Sequence, residues 1–120
     1  MPLRETLKDI VEKVEGAVAA VIMANDGISI DEYVVDEAGF DLQLLTVEYA
    51  RGLEEVSRAA EVISIGVMEE VSITSSRLFV VIRVLNDDAF IMLVMTRDGN
   101  TGKGRHLLRL KSFELARELG

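Results

Sequence analysis

Residues 17–35 constrain this chain more than any other stretch. An apolar run, Ala17–Ala24, stops at Asn25-Asp26-Gly27 and is followed by a partly alternating segment, Ile28–Val35. Asp-Gly between two such runs signals a hairpin, because glycine accepts positive φ at no steric cost. The first run is apolar at every position, so it is expected inside its sheet and covered on both faces. The second is apolar at alternate residues for part of its length, so one of its faces is expected to meet water. Nothing in the hairpin is a catalytic group. The best-organised part of the chain builds a platform, which points to binding rather than chemistry.

Helical periodicity flanks the hairpin. Leu3, Leu7, Ile10 or Val11, and Val14 form one apolar stripe, so a helix is expected over Leu3–Glu15, with Pro2 in its first turn and Gly16 as its stop. Asp36–Gly39 reads as a loop and Asp41 as the N-cap of a second helix, Leu42–Ile63. The expected core stripe of that helix is Leu42, Leu45, Tyr49, Leu53, Val56, Ala60 and Ile63. Its other faces carry opposite charges at helical spacing, and Gly66 closes the segment. Gly52, in mid-helix, reads either as drift on a tolerant surface or as a point of close approach by a second backbone. Val67–Thr74 is expected as an edge strand, with Val67, Val71 and Ile73 on one face. Arg77–Leu85 and Ala89–Thr96 follow as strands, and Thr101–Leu119 as a helix. The last helix has two stripes, one of Leu108, Leu115 and Leu119, the other of Leu107, Leu110 and Phe113, as if wedged between two surfaces. The order α-β-β-α-β-β-β-α is that of an α+β fold, a five-stranded antiparallel sheet sandwiched by helices in one domain, residues 1–120.

Composition narrows the function. The net charge is −8, which argues against nucleic acid and anionic membrane as partners, since both demand a basic footprint. The aromatics are few and not gathered on a basic field, so no base-stacking platform is present. No apolar run is long enough to span a bilayer, so membrane insertion is not expected. There is no cysteine, which removes disulfides, thiolate metal sites and thiol catalysis. With no signal peptide in the reading, the cytoplasm is the expected compartment. The basic residues concentrate late, at Lys103, Arg105, Arg109, Lys111 and Arg117. They form either a solvated helix face or a contact for an acidic partner.

No constellation carries catalysis. The segment Gly99–Arg105 stands between a strand and a helix, where phosphate can bind. A P-loop, however, needs glycine where Arg97 stands and Ser or Thr after the Gly-Lys pair. The segment reads as a turn, with weak anion binding as the alternative. His106 is the only histidine, too few for a histidine metal site. Adjacent acidic pairs such as Asp31-Glu32 and Glu69-Glu70 fall on strands and point to opposite faces. Neither cofactor, metal nor enzymatic activity is expected.

With this element order, the hairpin GAVAAVIMANDGISIDEY, Glu48, Gly66 and the segment Gly99–Lys103, the chain resembles the Roadblock dynein-light-chain domains, a profilin-like fold, and within them the prokaryotic MglB-like group. The resemblance implies a homodimer paired through the second helix and third strand, joining two sheets into one of ten strands. Leu45, Tyr49, Gly52, Val56, Val67, Val71 and Ile73 would line that interface. It further implies a non-catalytic partner of a Ras-like, MglA-like small GTPase, activating or docking it through Tyr49, Arg51, Glu55 and Arg58. A structural adaptor without effect on nucleotide turnover is the alternative.

Overall fold

The alternation of buried strands and amphipathic helices resolves, in a computed structural model describing residues 3–35 and 39–120, into α1 (Leu3–Lys13), β1 (Ala17–Ala24), β2 (Ser29–Val34), α2 (Leu42–Val62), β3 (Glu70–Thr74), β4 (Leu78–Val84), β5 (Ala89–Thr96) and α3 (Thr101–Leu119). Pro2 and Asp36–Ala38 lie outside the described residues. The five strands form one antiparallel sheet in the order β2-β1-β5-β4-β3.

The unbroken apolar runs are the inner strands. β1 is paired on both sides, by β2 and β5, and β5 lies between β1 and β4. The β1–β2 turn closes as its sequence demands. Gly27 takes φ +90°, and Asp26 Oδ1 accepts from the Ile28 amide at 3.0 Å. Asn25 fastens this turn to the β4–β5 turn, its amide and side chain donating to the carbonyls of Asp88 and Asp87.

The two sheet faces are covered differently. On one, α1 and α3 bury Leu7, Ile10, Leu108 and Leu115 against Ile22, Val81, Ile91, Leu93 and Met95. On the other, α2 alone places Leu42, Ala50 and Leu53 against Val21, Met23, Ile82, Phe90 and Met92. The first face is locked at one end by a glycine crossing. Gly16, at φ +89°, and Gly99 stack backbone on backbone, and a β-carbon on Gly99 would strike the Glu15 carbonyl and the Gly16 Cα. The Thr96 and Asn100 amides donate across the crossing to the carbonyls of Gly16 and Glu15, at 2.9 and 2.8 Å.

Four expectations are corrected. The buried side of α2 is Leu42, Thr46, Ala50, Leu53 and Ala60, with Leu45 and Tyr49 half-buried, whereas Val56 and Ile63 are exposed. Small residues share that side with Leu42 and Leu53. α2 ends at Val62, beside the expected Ile63, but Ser64 and not Gly66 closes it: Ser64, at φ +56°, donates its amide to the Glu61 carbonyl, and Ile65 donates to that of Ala60, a Schellman closure. Strand β3 starts at Glu70, and Met68 packs on the same side as Val71 and Ile73 while Val67 stays exposed. In α3, Leu107 joins the Leu108 side of the helix, and Leu110 and Phe113 are left in solvent. The helix does pack on both the sheet and α1, as expected, but through its Leu108 side alone, and the second stripe meets neither.

Candidate interaction surface

The α2 face is where the fold is least complete. Asp41 begins α2 by accepting from the Leu44 amide through Oδ1 at 3.1 Å, as its N-cap position requires. The first half of the helix packs on the sheet. The second half stands off it, leaving an open cleft of about 700 Å3. Leu53, Met68, Val84 and Phe90 form its apolar lining; Asp26, Glu54, Arg58, Glu61 and Asp87 add charge. Beside it the chain leaves α2 through an exposed apolar run: Val62, Ile63, Ile65 and Val67, the last 84% exposed. That run leads into β3, a sheet edge paired only with β4.

The residues expected at a dimer contact are distributed along this region unevenly. Val56 and Val67 are exposed. Val71 and Ile73 lie half-buried on the α2 side of β3. Leu45 and Tyr49 are half-buried against the chain's own core. Gly52 faces open space, with nothing within 4 Å of where a β-carbon would stand, so no contact inside the chain accounts for it. The run Val62–Ile65 was missed as a surface. Its signal was legible, since three apolar residues within four positions, Val62, Ile63 and Ile65, carry on from the last helical turn.

Among the residues expected to meet a partner, Tyr49 is half-buried and Arg51, Glu55 and Arg58 are exposed. Both arginines are held by their own helix. Arg51 pairs with Glu48 at 3.3 Å, and Arg58 with Glu54 and Glu55 at 3.5 and 3.6 Å. Such exposed pairs contribute only a few tenths of a kcal/mol each. They break cheaply when a partner offers a better carboxylate.

One ionic cluster differs. Glu70 Oε2 accepts from Arg105 at 2.6 Å and Oε1 from Arg83 at 3.2 Å, with Glu70 and Arg83 both 17% exposed. Burial raises the Glu70 pKa, but the hydrogen bonds and charges of Arg105 and Arg83 outweigh it and hold the carboxyl below its ordinary range. The cluster ties the β3 edge to β4 and α3.

The Gly99–Arg105 segment is occupied with structure. Gly99 is used in the crossing, Gly104 is buried beside Met95, and Asn100 Oδ1 caps α3 by accepting from the Lys103 amide at 3.1 Å. That side chain stands where an anion would receive the amide. No group of three or more His, Cys, Asp or Glu side chains able to hold a metal ion occurs among the described residues, and no described helix is long and apolar enough to cross a membrane.

No known family profile and no curated protein matches the sequence. Among solved structures, MglC from Myxococcus xanthus is 40% identical over 98% of this chain and 99% of its own, with a TM-score of 0.72. A Roadblock/LC7 domain from Streptomyces avermitilis is 13% identical over 99% of this chain and 98% of its own, at TM-score 0.82. The gliding protein MglB from Thermus thermophilus is 19% identical over 95% of this chain and 85% of its own, at TM-score 0.83. At identities this low, the last two establish the fold alone.

Proposed function

Because this chain belongs to the Roadblock/LC7 family, as a relative of MglC and MglB, we propose that it is a non-catalytic homodimeric regulator of a Ras-like, MglA-like small GTPase, activating or docking it. The observation carrying the proposal is the unfinished α2 side: an exposed apolar run at Val62–Val67 continuous with a free β3 edge. Apolar surface of this kind, next to unpaired strand backbone, is what a second copy would cover about a two-fold axis. Pairing β3 with its symmetry mate joins two sheets into one of ten strands. It also sets two α2 helices side by side, with Arg51, Glu55 and Arg58 facing outward as the GTPase contact.

The test is binding of this chain to the Ras-like GTPase of its own genome, loaded with GDP or with a non-hydrolysable GTP analogue. Preference for the analogue supports the proposal. Arg51→Glu with Arg58→Glu should weaken that binding about tenfold while leaving the fold intact. Binding indifferent to nucleotide would instead support an adaptor. The intrahelical pairing of both arginines favours that second reading, since neither is held ready for a partner.

A further inference from the structure

The outward side of α3 lies across the sheet from the α2 face and has no part in the function proposed above. His106, Arg109, Leu110, Phe113 and Arg117 recur at i, i+3, i+4, i+7 and i+11, so they share one side of the helix, and all are exposed. Phe113 is 77% exposed and Leu110 58%. The chain has six aromatic residues, and the other five are buried or half-buried.

Charge is as uneven as hydrophobicity. Thr101–Leu119 holds five basic and two acidic side chains, net +3, in a chain of net −8, so the remainder carries −11. Arg105 is committed to Glu70, and Lys111 to Asp9 and Glu114. Among the described residues, Lys103, Arg109 and Arg117 enter no ion pair. α2 pairs its arginines with its own glutamates. α3 instead displays Phe, Leu and unpaired Arg, the residue types that carry binding energy at protein interfaces.

We propose that this face docks an acidic segment of another protein, apolar side chains against Leu110 and Phe113 and carboxylates toward Arg109 and Arg117. The helix is about 28 Å long, enough to seat a segment of several turns. A lipid surface fits less well. It would also meet α1, which shares this layer and whose three basic and three acidic side chains add no net attraction. A second copy offering its acidic side to α3 would make a head-to-tail contact, which forms a ring or an open chain and not a two-fold dimer.

The experiment uses the full chain and a fluorescein-labelled amphipathic peptide with glutamates on one helical side and leucines on the other, followed by anisotropy at low and high salt. Saturable binding is expected, weaker at high salt, and absent for the same peptide with lysine in place of glutamate. Arg109→Glu with Arg117→Glu, and separately Leu110→Ser with Phe113→Ser, should each weaken it about tenfold. Both double variants replace exposed side chains and should keep the melting temperature and sedimentation coefficient of the parent. No saturable binding, or binding unchanged in both variants, would overturn the proposal. So would variant-sensitive binding to phosphatidylcholine–phosphatidylglycerol vesicles without binding to the peptide, which would assign the face to lipid. Loss of self-association in the Leu110/Phe113 variant would assign it to a second copy and overturn the proposal equally.

Discussion

The two faces of the sheet carry similar strands and are covered differently. Under α1 and α3, Leu7, Ile10, Leu93, Leu108 and Leu115 are wholly out of solvent. Under α2, the helical contacts Leu42, Ala50 and Leu53 remain slightly accessible, a cleft stays open, and the apolar run beyond the helix is bare. Two helices finish one face within the chain. One helix across five strands cannot finish the other. The sheet needs apolar residues on both sides to hold its inner strands, so the shortfall on the α2 side is what a partner has left to cover.

The largest expected effect tests that contrast within one chain. Leu108→Ala should cost about 3 kcal/mol, since its surroundings are closed on every side and collapse poorly. Leu53→Ala, which borders the open cleft, should cost about 1 kcal/mol less. Urea unfolding of the two variants gives the comparison, and equal costs would mean that the faces are equally finished. Gly99→Ala comes next, at about 2 kcal/mol, because the β-carbon meets backbone that cannot move aside. Its counterpart is Gly52→Ala. With open space at that position, the change should raise the stability of the single chain by about 0.5–1 kcal/mol. If a second backbone approaches there, the same change weakens self-association, which sedimentation would show.

Much of this was readable from the chain. β1, β5 and α3 begin and end where their apolar runs place them. The α2 stripe was not, for a physical reason. Hydrophobicity alone does not separate residues facing the chain's own core from residues facing outward. Val56 and Ile63 counted as core, while Thr46 and Ala50 are the residues small enough to lie against the sheet. The end of α2 near Ile63 was legible, whereas its closure was expected at Gly66 and is made by Ser64, left-handed two residues earlier. The Glu70 cluster was invisible because it joins residues 35 positions apart in the chain. Val67, Val71 and Ile73 were read as one strand face, and the position of Val67 outside the ladder shows only in three dimensions.

The smaller effects refine each face. The lowered Glu70 pKa means that this carboxylate stabilises the fold fully above its unfolded pKa and ceases to do so as pH falls through the folded value. Glu70→Gln should therefore cost about 1 kcal/mol at neutral pH. Its stability should fall less than that of the parent as pH drops through the acid range below about 4.5; parallel curves would remove the cluster from the account. Ser64→Gly should add about 0.5 kcal/mol by relieving the left-handed serine, partly offset by the freer unfolded chain. Thermal unfolding resolves that change.

The central claim is that the α2 side is completed by a second copy. Sedimentation equilibrium at about ten micromolar, on the parent and on a Val56→Asp, Val67→Asp variant, tests it most directly. The account predicts twice the 13.2 kDa chain mass for the parent. For the variant it predicts the single-chain mass with unchanged helical content. A parent at the single-chain mass, or a variant that still pairs, would contradict it.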